Sequence, residues 1–208
     1  MGAYLLDWVA LFFRWFHVIA GIAWIGASFY FVWLDMSLQK PPEWKAKKGI
    51  SGDLWAVHGG GFYEIAKYKL DPEEMPKTLH WFKWEAYTTW LTGAAMTAIV
   101  YYANATAYLV DPSKVDFGRN IWAIATSILF LLGTYAIYEM VVRSRIGKNK
   151  MTFSITIFVL MVIASWASYQ LFSDRASFIH VGAILGTIMA LSLIHTPSPR
   201  DVEESRMP

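Results

Sequence analysis

The first long apolar run of the chain, Tyr4 to Leu34, is the feature that most limits what it can fold into. The run exceeds the ~20 residues a helix needs to cross a hydrocarbon core. Backbone polar groups in that core must be satisfied internally, so the run predicts a helix and not an open strand. Yet it carries Arg14 and His17. An ionisable side chain at mid-bilayer costs roughly 2.5–3.5 kcal/mol on insertion scales, so it belongs on a face turned toward protein or a site. Arg14, His17, Gly21, Trp24, Ser28 and Phe31 follow one another at steps of three and four, which predicts one helical stripe. That stripe is expected to face something other than lipid.

Four further runs have spanning length, at about Trp84–Tyr102, Asn120–Val142, Met151–Phe172 and Ala176–Ile194. The expected fold is all-α and integral to a membrane, a bundle of about five transmembrane helices over residues 1–194. Composition agrees: 56% of residues are hydrophobic and only 16% charged. Trp and Tyr gather near the ends of the runs, as interfacial anchors do. The lipid bilayer is thus an expected partner. Nucleic acid is not, because the net charge is only +2 and the basic residues lie in loops. The chain has no cysteine, which excludes disulfides, thiolate metal sites, iron–sulfur clusters and a covalently attached c-type haem. The start of the chain lacks a basic segment and a small-residue cleavage site, so the first run is expected to be a retained helix.

Loop charge predicts the orientation. The third-to-fourth connection holds Arg143, Arg145, Lys148 and Lys150, and the first-to-second holds Lys40, Lys45, Lys47 and Lys48. Both are expected in the cytoplasm. The second-to-third connection balances Lys114 and Arg119 against Asp111 and Asp116, and the last turn is Ser173-Asp174-Arg175. Both of these are expected outside, with the amino terminus outside and the carboxyl end inside. Residues 35–83 are too long for a plain connection. Asp53–Val57 and Phe62–Leu70 flank His58-Gly59-Gly60-Gly61, which predicts a small cytoplasmic β-hairpin with a glycine turn. Gly182 and Gly186 predict a close helix-packing face. Residues 195–208, polar and broken by Pro197 and Pro199, are expected to be a disordered tail that need not belong to the natural protein, and His195 within them is set aside.

Several side chains are candidates for chemistry. His17 and His180 both enter their helices from the expected outer side and could be axial ligands of a haem b iron, or part of a quinone or proton site. Arg14, one turn from His17, could pair with a propionate or an anionic substrate. Equally, both histidines could simply hydrogen-bond across the bundle. By helix rise, His17 should lie deeper than His180. His80, Trp84, Tyr87 and Leu91 are expected on one helical face, with Glu85 a candidate proton carrier at the membrane boundary and Glu139 an interfacial acid. His58-Gly-Gly-Gly resembles an esterase oxyanion motif, but no Gly-x-Ser-x-Gly elbow accompanies it, so a hydrolase is excluded. The glycines predict a tight turn requiring positive φ, or else a binding turn beside Tyr63, Glu64, Lys67 and Tyr68. The candidates are therefore Arg14, His17, His80 and Glu85 for catalysis. His17, His180 and Trp24 are candidates for a cofactor, and His58, Tyr63 and Trp84 for a substrate or loop site.

Two stretches together carry a family resemblance. One is Arg14-Trp-Phe-His-Val-Ile-Ala-Gly-Ile-Ala-Trp-Ile-Gly-Ala-Ser-Phe-Tyr-Phe. The other is Val57-His-Gly-Gly-Gly-Phe-Tyr-Glu followed by Leu79-His-Trp-Phe-Lys-Trp-Glu-Ala-Tyr-Thr-Thr-Trp-Leu-Thr-Gly. Phe178-Ile-His-Val-Gly-Ala-Ile-Leu-Gly agrees with them. From about Leu5 to Ala190 the chain resembles the amino-terminal membrane domain of the bacterial membrane-bound urate oxidase (urate hydroxylase) family. The resemblance implies a multi-helix domain of the bacterial inner membrane, joined to a carboxyl-terminal cytochrome c domain on the periplasmic side. It implies oxidation of urate toward 5-hydroxyisourate, with electrons leaving through the cytochrome. The further helices and the Cys-x-x-Cys-His of the family are not in this sequence, so the expectation is a truncated domain lacking the c-type haem. The implied function is a urate-oxidising redox domain; from the chemistry of the residues themselves, aromatic side chains and Arg14 are expected to hold urate or a related purine. Two alternatives stand beside it. One is a haem b or quinone-linked redox subunit with another substrate; the other is a non-enzymatic purine transporter or assembly module.

Overall fold

A computed structural model describes residues 2–70, 72 and 75–192. The tail expected at 195–208, and the last two residues of the fifth run, lie outside the described residues. The chain divides into two compact units, Met1–Ala20 with Ala86–Thr196, and Gly21–Glu85 with Pro197–Pro208.

The elements are mostly helical. Helix α1 spans Gly2–Ser37, and the short α2 spans Glu43–Ala46. Strands β1 and β2 are Ile50–His58 and Gly61–Tyr68. Helix α3 is Lys83–Met96 and runs directly into a π-helix, Thr97–Tyr102. Then come α4, Ala105–Tyr108, and the three long helices α5, Asn120–Arg143, α6, Lys150–Leu171, and α7, Asp174–Ser192. Among the described residues four helices, α1, α5, α6 and α7, are long and apolar enough to cross a membrane. Their large outward side chains, such as Phe12, Leu129 and Phe158, are exposed, as suits elements whose solvent is lipid.

The second expected span departs from a regular helix. Its α-helical part is 14 residues, and the remaining six residues form the π-helix. The widened turn is closed by Ala103 N–H donating to the Ala98 carbonyl at 2.9 Å. Two tertiary contacts account for the widening. Tyr101 is buried in the main core cluster, while the next residue, Tyr102, reaches Ser127 on α5 at 2.8 Å. A short π segment re-aims consecutive side chains in a way that a 3.6-residue period does not.

The core of the first unit joins Tyr101, Ala105, Leu109, Ala123, Phe172 and Ala176. Polar ties hold the helix ends together. Ser173 donates its backbone N–H to the Leu109 carbonyl at 3.0 Å and its hydroxyl to the Tyr108 carbonyl at 2.6 Å. Lys114 donates to the Tyr169 and Phe172 carbonyls at the end of α6, 2.9 and 3.2 Å away, and to Asp174 at 2.5 Å. A cation there satisfies orphan carbonyls and the helix dipole together. The loop after α4 and the α6–α7 turn therefore lie at the same end of the helices. Asn149 caps α6, accepting from the backbone N–H of Met151 and Thr152 at 3.0 and 3.1 Å. Among the described residues, nothing packs closely on the expected face at Gly182 and Gly186. A Cβ at either position would meet nothing within 4 Å, and α7 buries Ala176, Ser177, His180, Ile184 and Ala190 instead.

In the second unit the hairpin forms as expected, with each strand one to three residues different at its ends. His58 pairs with Gly61, leaving Gly59 and Gly60 as a two-residue turn with φ of 58° and 82°. Two consecutive positive φ values are what a type I′ hairpin turn needs, and glycine takes them without strain. Lys45, buried on α2, forms ion pairs with Asp53 on β1 and Glu64 on β2. Hydrogen bonding to the Asp53 and Glu64 carboxylates holds the Lys45 ammonium above its ordinary pKa. Lys67 pairs with Asp35 at 2.6 Å.

Candidate active site

His17 and His180 both belong to the first unit, and each is organised by backbone carbonyls. His17 projects from α1 toward α3. Its Nδ1 is 3.0 Å from the Thr89 carbonyl and 3.0 Å from Thr92 Oγ1. The carbonyl can only accept, and the Thr92 hydroxyl already donates to the Thr88 carbonyl at 2.7 Å. Nδ1 therefore carries a proton, shared between two acceptors. Among the described residues Nε2 has no hydrogen-bond partner. Gly93 makes room for the ring: a Cβ there would stand 3.1 Å from His17 Cε1.

His180 on α7 is arranged differently. Its Nδ1 donates to the Ala176 carbonyl at 2.7 Å, and its Nε2 is 2.6 Å from Ser127 Oγ. The ring stacks on Phe172, with centroids 4.1 Å apart and planes 10° off parallel. Only 2% of the residue is exposed, so the whole polar edge of the imidazole is spent on protein.

These geometries bear on a haem. An axial histidine normally donates one ring N–H to a carbonyl or carboxylate and gives the other nitrogen to the metal. His17 fits that pattern. His180 as arranged does not, because Ser127 and Ala176 occupy both nitrogens and Phe172 covers a face. The pair therefore does not fit as the two axial ligands of one haem. Gly182 and Gly186, on the same helix as His180, border open space.

The remaining candidates fall in several places. Helix α1 turns Ala20 inward and half-buries Phe13, His17, Gly21, Trp24 and Ala27, while Arg14, Ser28 and Phe31 are exposed. The covered stripe thus runs one step beside the expected one: His17, Gly21 and Trp24 lie on it and Arg14 at its edge. Arg14 and Arg175 are both within electrostatic reach of Tyr101, and the Arg175 guanidinium lies 5.3 Å from the Tyr108 ring centre. In the second unit, His80 Nε2 is 3.6 Å from Glu85 Oε1, and the His80 ring meets Phe82 edge-on at 4.7 Å. His80 precedes α3, which begins at Lys83, so it does not share a helical face with Trp84, Tyr87 and Leu91. Trp84 is largely exposed in the first turn of α3. His58 and Tyr63 are exposed beside the hairpin turn, and their neighbours Glu64 and Lys67 are engaged in the ion pairs that fasten the hairpin.

Sequence reasoning missed Thr89, Thr92 and Gly93 around His17, and Tyr102 and Ser127 beside His180. Thr89 and Thr92 do carry a signal, since hydroxyls inside an apolar helix must find acceptors and often mark polar contacts between helices.

Comparison with known proteins gives a single kind of match: the family described as urate oxidase N-terminal covers residues 3–202. No curated protein and no solved structure matches the chain.

Proposed function

The chain belongs to the urate oxidase N-terminal family, and from that membership we propose that it is the membrane domain of a urate-oxidising redox protein. The reaction is urate plus water to 5-hydroxyisourate, releasing two protons and two electrons. The electrons pass singly to a c-type cytochrome domain or protein, whose haem lies outside this chain. The family match carries this reading, and the geometry of His17 supports it. An imidazole with Nδ1 fixed by the Thr89 carbonyl and an open Nε2 lone pair is oriented as a general base for the attacking water. Urate is an anion near neutral pH, and exposed Arg14 one turn away is suited to pair with it.

In the second unit, the His80–Glu85 pair is suited to carry protons. Trp24, Trp84, Tyr63 and His58 are candidate purine contacts. The proposed setting is the bacterial inner membrane, with α3 and its π-helical extension as a fifth span, the amino terminus outside and the hairpin in the cytoplasm. A haem b held by His17 would claim the same lone pair as the base, so the two roles exclude each other. A Soret band that disappears in His17→Ala would decide for the haem.

The test is anaerobic addition of urate to membranes holding the protein with its cytochrome, followed by cytochrome absorbance. Reduction dependent on His17 is the expected result. No reduction, with urate uptake into vesicles, would overturn the redox reading in favour of a transporter. A quinone-linked subunit is the second reading, favoured by an apolar groove among α5, α6 and α7 lined by Phe130, Thr134, Tyr138, Met161 and Ile184. Reduction of a soluble quinone analogue by a donor other than urate, with the cytochrome absent, would support it.

A further inference from the structure

Tyr102, Ser127 and His180 come from three different elements and touch in series. The Tyr102 hydroxyl is 2.8 Å from Ser127 Oγ, and Ser127 Oγ is 2.6 Å from His180 Nε2. The far end of the series sets its direction. The Ala176 carbonyl, 2.7 Å from His180 Nδ1, has no proton to give. Nδ1 must therefore be the protonated nitrogen of a neutral ring. The ring is stacked on Phe172 and 2% exposed, where an unpaired imidazolium would be costly. Nε2 is then a pure acceptor and Ser127 must donate to it. The Ser127 oxygen is left to accept, so Tyr102 must donate to Ser127. Every hydroxyl in the series points its proton toward His180.

Burial follows the same order. Tyr102 is half-buried, whereas Ser127 is fully buried and His180 nearly so. The π-helix is what aims Tyr102 at Ser127 while the adjacent Tyr101 enters the core. A π segment is costly to keep without a role, and such segments gather at functional sites.

We infer that Tyr102, Ser127 and His180 form a directed proton relay, with the Tyr102 phenol as its entrance and His180 Nε2 as its transient acceptor, charged only while the proton is held. A proton arriving at the Tyr102 oxygen is taken up as the phenol's own proton moves to Ser127 and the Ser127 proton moves to Nε2. One O–H bond forms and one breaks at each oxygen, one N–H bond forms at His180, and no electron moves. Reversal of the same hops returns the proton. The relay rests on the proposed function only for its proton source, the two protons released by urate oxidation.

Two measurements test it. In nitrogen-15 histidine spectra of the full chain in lipid nanodiscs, the resonances lost in His180→Gln should report a neutral ring protonated at Nδ1. Tyr102→Phe should shift the His180 Nε2 resonance, and this shift should vanish in a Ser127→Ala background and survive in Ser127→Thr. A resting ring, with no urate added, that is protonated at Nε2, or an Nε2 resonance indifferent to Tyr102→Phe, would overturn the relay whether or not urate is the substrate. In the protein with its cytochrome, Tyr102→Phe should slow urate-driven reduction by ~10-fold or more, within the range of a lost proton-transfer group. It should also lose the solvent deuterium isotope effect, and Ser127→Thr should retain both rate and isotope effect. Wild-type kinetics in Tyr102→Phe would sink the relay while leaving urate oxidation intact. If the wild type itself fails to oxidise urate, the functional proposal fails, and the spectra still decide the relay.

Discussion

His17 and His180 are held alike at one end and differently at the other. Each gives its Nδ1 proton to a backbone carbonyl, Thr89 for one and Ala176 for the other. Beyond that the environments diverge. His17 is half-buried, with an open Nε2 beside a glycine. His180 is sealed, its Nε2 bound by Ser127 and its ring flat on Phe172. The same residue type, donating from the same nitrogen, thus keeps one ring nitrogen without a hydrogen bond among the described residues in one place and has both engaged in the other. A histidine within an apolar run marks a polar requirement; the partner of the second nitrogen decides what that requirement is.

The largest effect that could break this comparison is on activity. His17→Gln should lower urate-driven cytochrome reduction by ~100-fold or more, the scale of a lost general base, and change stability by under about 1 kcal/mol. Initial rates and unfolding in mixed micelles check both halves, and a reversed pattern would undo the distinction. His180→Ala should be the complement, with a loss of about 3 kcal/mol in the same unfolding assay. It removes a buried ring from Phe172 and leaves Ser127 without its acceptor. Gly93→Ala tests the His17 side more gently. Its Cβ would press on Cε1 at 3.1 Å, so the ring must tilt and the rate should fall several-fold while the fold persists.

Smaller effects separate the two units by pH. Ser113, donating to Asp111 through its hydroxyl and its backbone N–H, holds the Asp111 carboxyl below its ordinary value of 3.8. The stability it contributes is complete above that value and is lost as pH falls through the lower folded-state pKa. Asp111→Asn should therefore flatten the acid limb of unfolding for the helical unit. Lys45 has the opposite sign, its folded pKa being raised above 10.5 by Asp53 and Glu64. Its contribution is complete below 10.5 and is lost as pH rises through the folded value. Lys45→Met should weaken the hairpin at neutral pH and remove its alkaline transition, read from hydrogen exchange of β1 and β2. Asn149→Ala, which removes a helix cap bonded to Met151 and Thr152, should cost about 1 kcal/mol.

The sequence by itself determined what depends on neighbours along the chain. Apolar length specified the helices, because a bilayer leaves a spanning segment no other way to satisfy its backbone. Gly59-Gly60 specified the hairpin, because a two-residue turn with positive φ at both positions is a local demand. Tertiary structure decided what depends on residues far apart. Tyr102 meets Ser127 across 25 positions, Ser127 meets His180 across 53, and His17 meets Thr89 across 72. Periodicity places each of these residues on a helix, but it carries no information about which face of another helix will lie opposite. The π-helix belongs to the same class, since its cause is the simultaneous burial of Tyr101 and bonding of Tyr102 to a distant serine. So does the difference between the two histidines: Nδ1 of His17 is held by a carbonyl of another helix and Nδ1 of His180 by a carbonyl of its own, but the partner of Nε2 is set in both by what the packing brings beside it.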